Sequence, residues 1–339
     1  MASPIFPVID YSRLVSADAS IAASEKGKLF QSFKDVGFIY LKGHVFSDEF
    51  MASLFSHIHK LFDLPEEQKL AIEGGEKTAF RGWFAPVRTA RDPSTADQKE
   101  AYGLGNDADT TRPNRWPENW PEFRRDCSHF FEQCFQMHLA ILSALAEKVG
   151  LPSDALLPSV QARDSYTALL YYPETTEESF ADRVRSAPHT DFGTLTLLFN
   201  DAVGGLQVRD AVDGQWRDAP PIAGHAIVNV ADLLARWFNT RLKSTEHRVV
   251  APPAESRQRP DGSRTNVVPA RYAISWFGHP NRDAVIRPLD ECVAADHPRL
   301  FEPVVAGKHV RERMARLLDD GKLPEKWTDD MHRKETPVA

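Results

Sequence analysis

The sequence predicts a mainly β fold, an all-β barrel or double-sheet roll with flanking helices. Beyond Leu157, short β-prone runs recur at regular spacing with turn residues between them, the pattern of a closed or doubled antiparallel sheet. Ahead of them lies one long apolar stripe at helical spacing, which needs a sheet to bury it. A chain of 339 residues with 42% apolar and 10% aromatic residues has material enough for a large core.

From the amino terminus, Pro7 to Asp10 reads as a short first strand. Ala22 to Val36 reads as a helix with Leu29, Phe30 and Phe33 on one side, and Gly37 to Leu41 as the next strand. Ser47-Asp48-Glu49 is a helix-start signal for the stripe Phe50, Leu54, Ile58 and Leu61, which stops at Leu64-Pro65. His57 and His59 are expected on the surface of that helix. From Gly74 to Glu122 periodicity gives way to Gly, Pro, Asp and Thr, predicting long loops around a few short strands. Cys127 to Val149 is the clearest helix: Phe131, Cys134, Phe135, His138, Leu142, Leu145 and Val149 share a face, and Gly150 and Pro152 end it. His138 on that stripe is expected as a packed core histidine rather than a ligand.

The predicted strands that follow are Tyr166 to Tyr172, Leu195 to Phe199, Gly205 to Val208, Trp216 to Ala219, Ala226 to Val230, Glu246 to Val250 and Arg271 to Phe277. Gly204-Gly205 and Asp213-Gly214 supply turn chemistry for hairpins. Pro252 to Thr265, polar with proline and arginine, is expected as an exposed loop. Val304 to Leu318 is expected as a helix returning over the barrel, ahead of a poorly ordered charged tail beyond Glu325.

A net charge of -7 with no basic cluster argues against sequence-independent nucleic-acid binding. No run approaches about 18 uninterrupted apolar residues, and the first ten residues lack a cationic start and an apolar core. These features predict a soluble cytoplasmic protein with no nucleic-acid or membrane partner. Cys127, Cys134 and Cys292 are an odd number without Cys-x-x-Cys spacing, and are expected as buried free thiols. No sequence feature sets an oligomeric state.

The run Pro188 to Leu198 contains His189-Thr190-Asp191 and reads as extended, so residues two apart project to one side and can reach one ion together. His247, in the extended run Ser244 to Val250, is a third ligand that a closed β-structure would bring into place. A lone His-x-Asp is weak, since a chain with 12 histidines holds about one by chance. Two imidazoles and one carboxylate on one face leave the opposite positions open, which suits iron(II). Structural zinc usually takes four cysteine-rich ligands; a catalytic zinc with three ligands stays open. Arg271, opening a strand, offers a rigid guanidinium able to grip a carboxylate through two parallel hydrogen bonds.

These runs occur in order with Gly204 to Val208, Ala231 to Leu234 and Arg271-Tyr272. Pro7 to Asp10, Gly37 to Tyr40 and Lys99-Glu100 precede them. Together, over nearly the whole chain, they resemble the iron(II) and 2-oxoglutarate-dependent oxygenases of the isopenicillin N synthase-like group. Asp232 to Trp237 and Ser244 to Val250 are similar to the thymine dioxygenase-like branch seen in fungi. The resemblance implies a distorted double-stranded β-helix, or jelly roll, over residues 158–300. An α/β amino-terminal region, 1–157, would buttress it, and a carboxy-terminal helix and tail, 301–339, would follow.

The same resemblance implies iron(II) on His189, Asp191 and His247, with 2-oxoglutarate chelating it through the keto acid end. Arg271 would hold the far carboxylate, Tyr172 would donate a hydrogen bond to this cosubstrate, and O2 would be the oxidant. The implied reaction decarboxylates 2-oxoglutarate to succinate and oxidises a C–H bond of a small organic substrate, a nucleobase or a secondary metabolite. Asp191 argues against halogenation, because halogenating relatives vacate that position. One departure is that the family's Arg-x-Ser is here Arg271-Tyr272-Ala273, with Ser275 on the same face two residues deeper. The lost hydrogen bond is worth roughly 1.5 to 3 kcal/mol. It keeps an oxidase needing no keto acid as an alternative, beside a non-catalytic small-molecule binding barrel. For the substrate, Phe277 and Phe192 are expected as pocket walls and Phe80 to Phe84 as a lid carrying Arg81 and Trp83. Arg236 and Trp237 are expected after a strand that ends at the same mouth.

Overall fold

The computed structural model describes residues 6–74, 80–84, 99–180, 184–258 and 264–320. The tail beyond Glu325 lies outside the described residues.

Strand β1 (Val8–Asp10) leads into the short helix α1 (Tyr11–Leu14) and then α2 (Ala19–Asp35). The Asp18 carboxylate starts α2 by accepting from the Ser20 and Ile21 N–H groups. Strand β2 (Phe38–Lys42) precedes α3 (Asp48–Phe62), whose first turn is capped by the Ser47 hydroxyl accepting from the Phe50 N–H. After α4 (Glu66–Ala71), strands β3 (Gly82–Phe84) and β4 (Glu100–Gly105) are the short strands expected in the loop-rich region. Helix α5 (Pro121–Lys148) begins ahead of its apolar stripe, with Pro121 at the first helical position, where a missing N–H costs nothing.

The remaining strands are β5 (Tyr166–Tyr172), β6 (Thr175–Thr176), β7 (Ser186–His189), β8 (Leu195–Asn200), β9 (Leu206–Arg209), β10 (Trp216–Asp218), β11 (His225–Val230), β12 (His247–Val249), β13 (Glu255–Gln258), β14 (Arg264–Val268), β15 (Arg271–Phe277), β16 (Val285–Ile286) and β17 (Val304–Val305). Helix α6 (Asp232–Trp237) follows β11, and α7 (Ala306–Asp320) follows β17. An eight-stranded sheet has the order β1-β2-β11-β8-β15-β5-β4-β3, so amino-terminal strands lie at both of its ends; a four-stranded sheet has the order β10-β9-β12-β7.

Alternation along the strands divides the large sheet into two faces. Leu197, Phe199, Val228, Ile274 and Trp276 pack outward with Leu29, Leu54 and Phe130 of α2, α3 and α5. On the inner face Phe38, Tyr40 and Ile227 meet Leu206, Val208 and Val249 of the four-stranded sheet. The two sheets therefore face each other across a second core, the jelly-roll arrangement. His138 of α5 is buried, as expected, with a ring nitrogen 2.7 Å from Thr194 Oγ1, and all three cysteines are buried and free.

Several local expectations are corrected. The stretch expected as an exposed loop from Pro252 to Thr265 contains β13 and the start of β14, which pair antiparallel. Glu255, Ser256 and Arg257 are exposed, so this ribbon carries no hydrophobic alternation to reveal it. Asp213-Gly214 does join the antiparallel neighbours β9 and β10, but Gly204-Gly205 links β8 to β9 across the two sheets instead of closing a hairpin. His57 is half-buried, because α3 packs on α5, and it meets Asp126 at 3.1 Å; His59 is exposed.

Candidate metal centre

Strands β7 and β12 pair antiparallel with His189 directly opposite His247, and Asp191 follows just past the end of β7. Both Nε2 atoms lie 3.9 Å from Asp191 Oδ1. The three ligand atoms all fall within 4.8 Å of one another, the only such His/Cys/Asp/Glu group among the described residues. One ion about 2.1 Å from each ligand spans pairs up to about 4.2 Å apart, which accommodates both 3.9 Å separations. His189 Nδ1 is 2.8 Å from the Ala187 carbonyl and His247 Nδ1 3.2 Å from the Thr245 carbonyl. A carbonyl only accepts, so each Nδ1 carries the proton and each Nε2 lone pair points to the shared space.

The carboxylate is oriented from behind. Thr196 and Asn229 stand opposite each other on β8 and β11. Both donate to Asp191 Oδ2, at 2.5 and 2.8 Å, leaving Oδ1 toward the imidazoles. Burial works to raise the Asp191 carboxyl, but the two imidazoles and these hydrogen bonds outweigh it and hold the group below its ordinary value. Burial, helped by the neighbouring His247, pushes His189 down to about 4, so its lone pair is available at neutral pH.

The approach to His247 is clamped by the amino-terminal segment. Thr245 Oγ1 donates to the Val36 carbonyl at 2.6 Å, and the Lys243 N–H to the Phe33 carbonyl at 3.0 Å. Gly37 permits this contact: its φ is +78°, and a Cβ there would sit 2.1 Å from the Lys243 carbonyl oxygen. The Phe38 ring then meets the His247 imidazole edge-on at 5.4 Å.

A second polar cluster lies on the inner face of β15. Arg271 is buried, donates Nη2 to Asn200 Oδ1 at 2.6 Å, and has a buried Nε without a partner among the described residues. Its guanidinium carbon is 5.1 Å from the ring centre of Tyr172, the residue opposite it in register. Arg185 is also buried, with its guanidinium carbon 5.6 Å from the same ring, and donates to the Pro269 carbonyl. Burial, then the nearby Arg271, lower Arg185 to about 10. Ala273 stands opposite Asn200, and the buried Ser275 lies opposite Ala168 and Leu198, deeper along the strand. Two buried guanidinium groups and an orphaned N–H suit a small carboxylate, and the open side of the triad suits a chelated iron(II).

Phe277 ends β15 stacked on Tyr166 at 6.2 Å, and Phe192 lies beneath Arg313 of α7, 5.1 Å from its ring centre. Within the stretch Phe80 to Phe84, expected as a lid, Gly82–Phe84 form the edge strand β3, paired to β4. Arg81 is buried and donates to Asn114 Oδ1 at 2.9 Å, and the Trp83 indole N–H donates to Glu100 at 2.7 Å, so both side chains anchor that edge. Arg236 donates to the Glu302 carbonyl at 2.6 Å and covers the Phe301 ring, while Trp237 is buried in the main core. Arg185, Thr196, Asn200 and Asn229 were not singled out in the sequence. Arg185 lies four residues before His189 on one extended run, so alternation could have found it; Thr196 and Asn200 lie beyond the bend after Asp191, at odd offsets from it, and Asn229 is on another strand, so no local period points to those three. Arg313 had no local signal.

Residues 163–280 match the 2OG-Fe(II) oxygenase superfamily, and residues 6–123 match the non-haem dioxygenase in morphine synthesis N-terminal family. The chain is 33% identical to the 2-oxoglutarate-dependent dioxygenase frbA of Dothideomycetidae sp. (strain 11243), over 84% of this chain and 88% of that protein. It is 32% identical to the proline hydroxylase buaE of Petromyces alliaceus, over 84% and 91%. Among solved structures, full-length Neurospora crassa thymine-7-hydroxylase in complex with alpha-KG superposes with a TM-score of 0.81 at 34% identity, covering 93% of this chain and 100% of that one. The same protein with alpha-KG and thymine gives 0.82 at 34% identity, covering 91% and 96%.

Proposed function

Because the chain belongs to the 2OG-Fe(II) oxygenase superfamily, as an iron(II)- and 2-oxoglutarate-dependent dioxygenase of small organic substrates, we propose that His189, Asp191 and His247 hold the iron. Arg271, with Tyr172 and Arg185, holds the cosubstrate. Membership decides for 2-oxoglutarate over an oxidase without a keto acid, and for catalysis over a silent barrel or a zinc hydrolase. Iron(II), 2-oxoglutarate and O2 together supply the oxidation of one substrate C–H bond, releasing succinate and carbon dioxide. The observation that carries the assignment is the convergence of two Nε2 atoms on one carboxylate oxygen, each 3.9 Å away.

The protein's own residues bind and orient. Thr196 and Asn229 fix the carboxylate, and the Ala187 and Thr245 carbonyls fix the imidazole tautomers. Arg271 receives the far carboxylate on its unpartnered Nε edge, while Asn200 keeps the guanidinium in place. Arg185 adds positive charge beside it and compensates for the hydroxyl missing at Ala273. The substrate lies between Phe277, stacked on Tyr166, and Phe192. Aromatic walls suit a flat heterocycle, and the similar Neurospora protein has been crystallised with thymine and 5-formyluracil. A pyrimidine base is therefore the proposed substrate class.

Anaerobic titration of the iron(II) form with 2-oxoglutarate tests the site, by the visible charge-transfer absorption of the chelate. We expect Arg271→Leu to shift that titration to roughly 10- to 150-fold higher 2-oxoglutarate, since a charge-assisted pair is worth roughly 1.5 to 3 kcal/mol. An unshifted titration refutes the Arg271 assignment. Thymine-dependent succinate formation tests the substrate class separately.

A further inference from the structure

The segments that carry the three ligands meet at one acidic residue. The Asp232 N–H donates to the Asp191 carbonyl at 2.9 Å, tying the start of α6 to the turn that holds two ligands. Asp232 Oδ1 accepts the Ser244 hydroxyl at 2.7 Å, and Ser244 opens the run that leads to His247. The other oxygen, Oδ2, is 3.1 Å from Arg313 Nη2. Arg313 reaches further than this ion pair. The same Nη2 donates to the hydroxyl of Thr190, which lies between His189 and Asp191, at 3.2 Å, and the guanidinium covers the ring of Phe192 just after them.

Arg313 sits on a helix whose start is fixed. The Ala306 and Gly307 N–H groups donate to the Ala284 and Arg282 carbonyls, both at 2.9 Å. The side chains of Arg313 and Asp232 are only 11% and 10% exposed, so their attraction is weakly screened by water and salt. A partly desolvated arginine with two partners on that turn and a third, Asp232, hydrogen-bonded to it holds the turn far better than a surface ion pair does.

We propose that Arg313 is a positioning residue for the metal centre. Through Thr190, Asp232 and Phe192 it locks the His189–Asp191 turn, and through Asp232 and Ser244 it couples that turn to the His247 segment. Iron affinity then depends on the docking of the carboxy-terminal helix. This rests on the metal reading above.

The test is anaerobic titration of the metal-free full chain with cobalt(II), following the metal's visible ligand-field bands, alongside the thermal midpoint of the metal-free protein. Arg313→Ala is expected to weaken cobalt binding by about tenfold or more, as outer partners of ligands do, with little change in that midpoint. Arg313→Lys should restore most of the affinity, because the ammonium can still meet Asp232. Thr190→Val, which cuts only the contact to the turn, should weaken binding by a smaller factor and covers the case in which Arg313→Ala fails to fold. Wild-type affinity in Arg313→Ala, or in Thr190→Val if the former is unfolded, overturns the proposal. His189→Ala serves as the separate control: if it binds cobalt like the wild type, the metal reading itself fails, whatever Arg313 does.

Discussion

Asn229→Leu removes one of the two hydrogen bonds that hold Asp191 Oδ2 while keeping the same branched heavy-atom skeleton. In the wild type the carboxylate is pinned by donors 2.5 and 2.8 Å away, from strands that face each other in register. A hydrogen bond to a buried charge contributes about 1.5 to 3 kcal/mol. With one of them gone the carboxylate can rotate, and metal binding itself must supply the ordering. Since about 1.4 kcal/mol is a factor of ten, iron(II) affinity should fall roughly 10- to 100-fold. Anaerobic competition against a coloured iron chelator measures this directly. At saturating iron most of the turnover should return, because no ligand has been lost. Thr196→Val should behave alike, and the double variant should lose more than the two singles added, since the buried oxygen then has no donor. A folded Asn229→Leu protein with wild-type iron affinity would show that the carboxylate is oriented by something else.

Ala273→Ser restores the family's hydroxyl opposite Asn200; because Arg185 already compensates for it, the KM for 2-oxoglutarate should stay near the wild-type value, and a fall of about 10-fold or more refutes that compensation. Gly37→Ala places a Cβ 2.1 Å from the Lys243 carbonyl at a φ of +78°. It should lower stability by more than about 1 kcal/mol, seen in thermal melts, and weaken iron binding through the displaced His247 segment. Burial pushes His138 down to about 3 from 6.5, with His279 contributing. Between those values the unfolded chain takes up a proton that the folded chain refuses, so stability falls as pH drops through this window and levels off below it. The limit is roughly 5 kcal/mol. Denaturant melts against pH should show a flatter acid limb in His138→Gln; an identical slope refutes the assignment.

Much of the fold was legible because its signals are local. Alternation in Arg271 to Phe277 separates an inner row, Arg271, Ala273, Ser275 and Phe277, from an outer row, Tyr272, Ile274 and Trp276, which packs on the helices. The stripe of α5 marked a core-facing helix with a buried histidine, and His189-Thr190-Asp191 with His247 marked the group that the fold brings together as a candidate metal centre. The failures have physical causes too. Strand β13 and the first three residues of β14 are polar on both faces, so no burial pattern announces their pairing. Arg81 looks like a loop cation, yet it is buried against Gly105, whose missing side chain leaves room for the guanidinium.

The linear chain thus determined which residues share a strand face, which helix must be covered, and which chemistry the ligand types permit. Those follow from backbone periodicity and the properties of imidazole and carboxylate. Only the tertiary structure decided that Gly37 lets the amino-terminal segment grip the approach to His247, that Arg185 joins Arg271 at Tyr172, and that Arg313 reaches back to Thr190 and Asp232. Each of these contacts joins residues far apart in the chain, and their distances are set by how the sheets and helices close around the core rather than by any neighbouring residue.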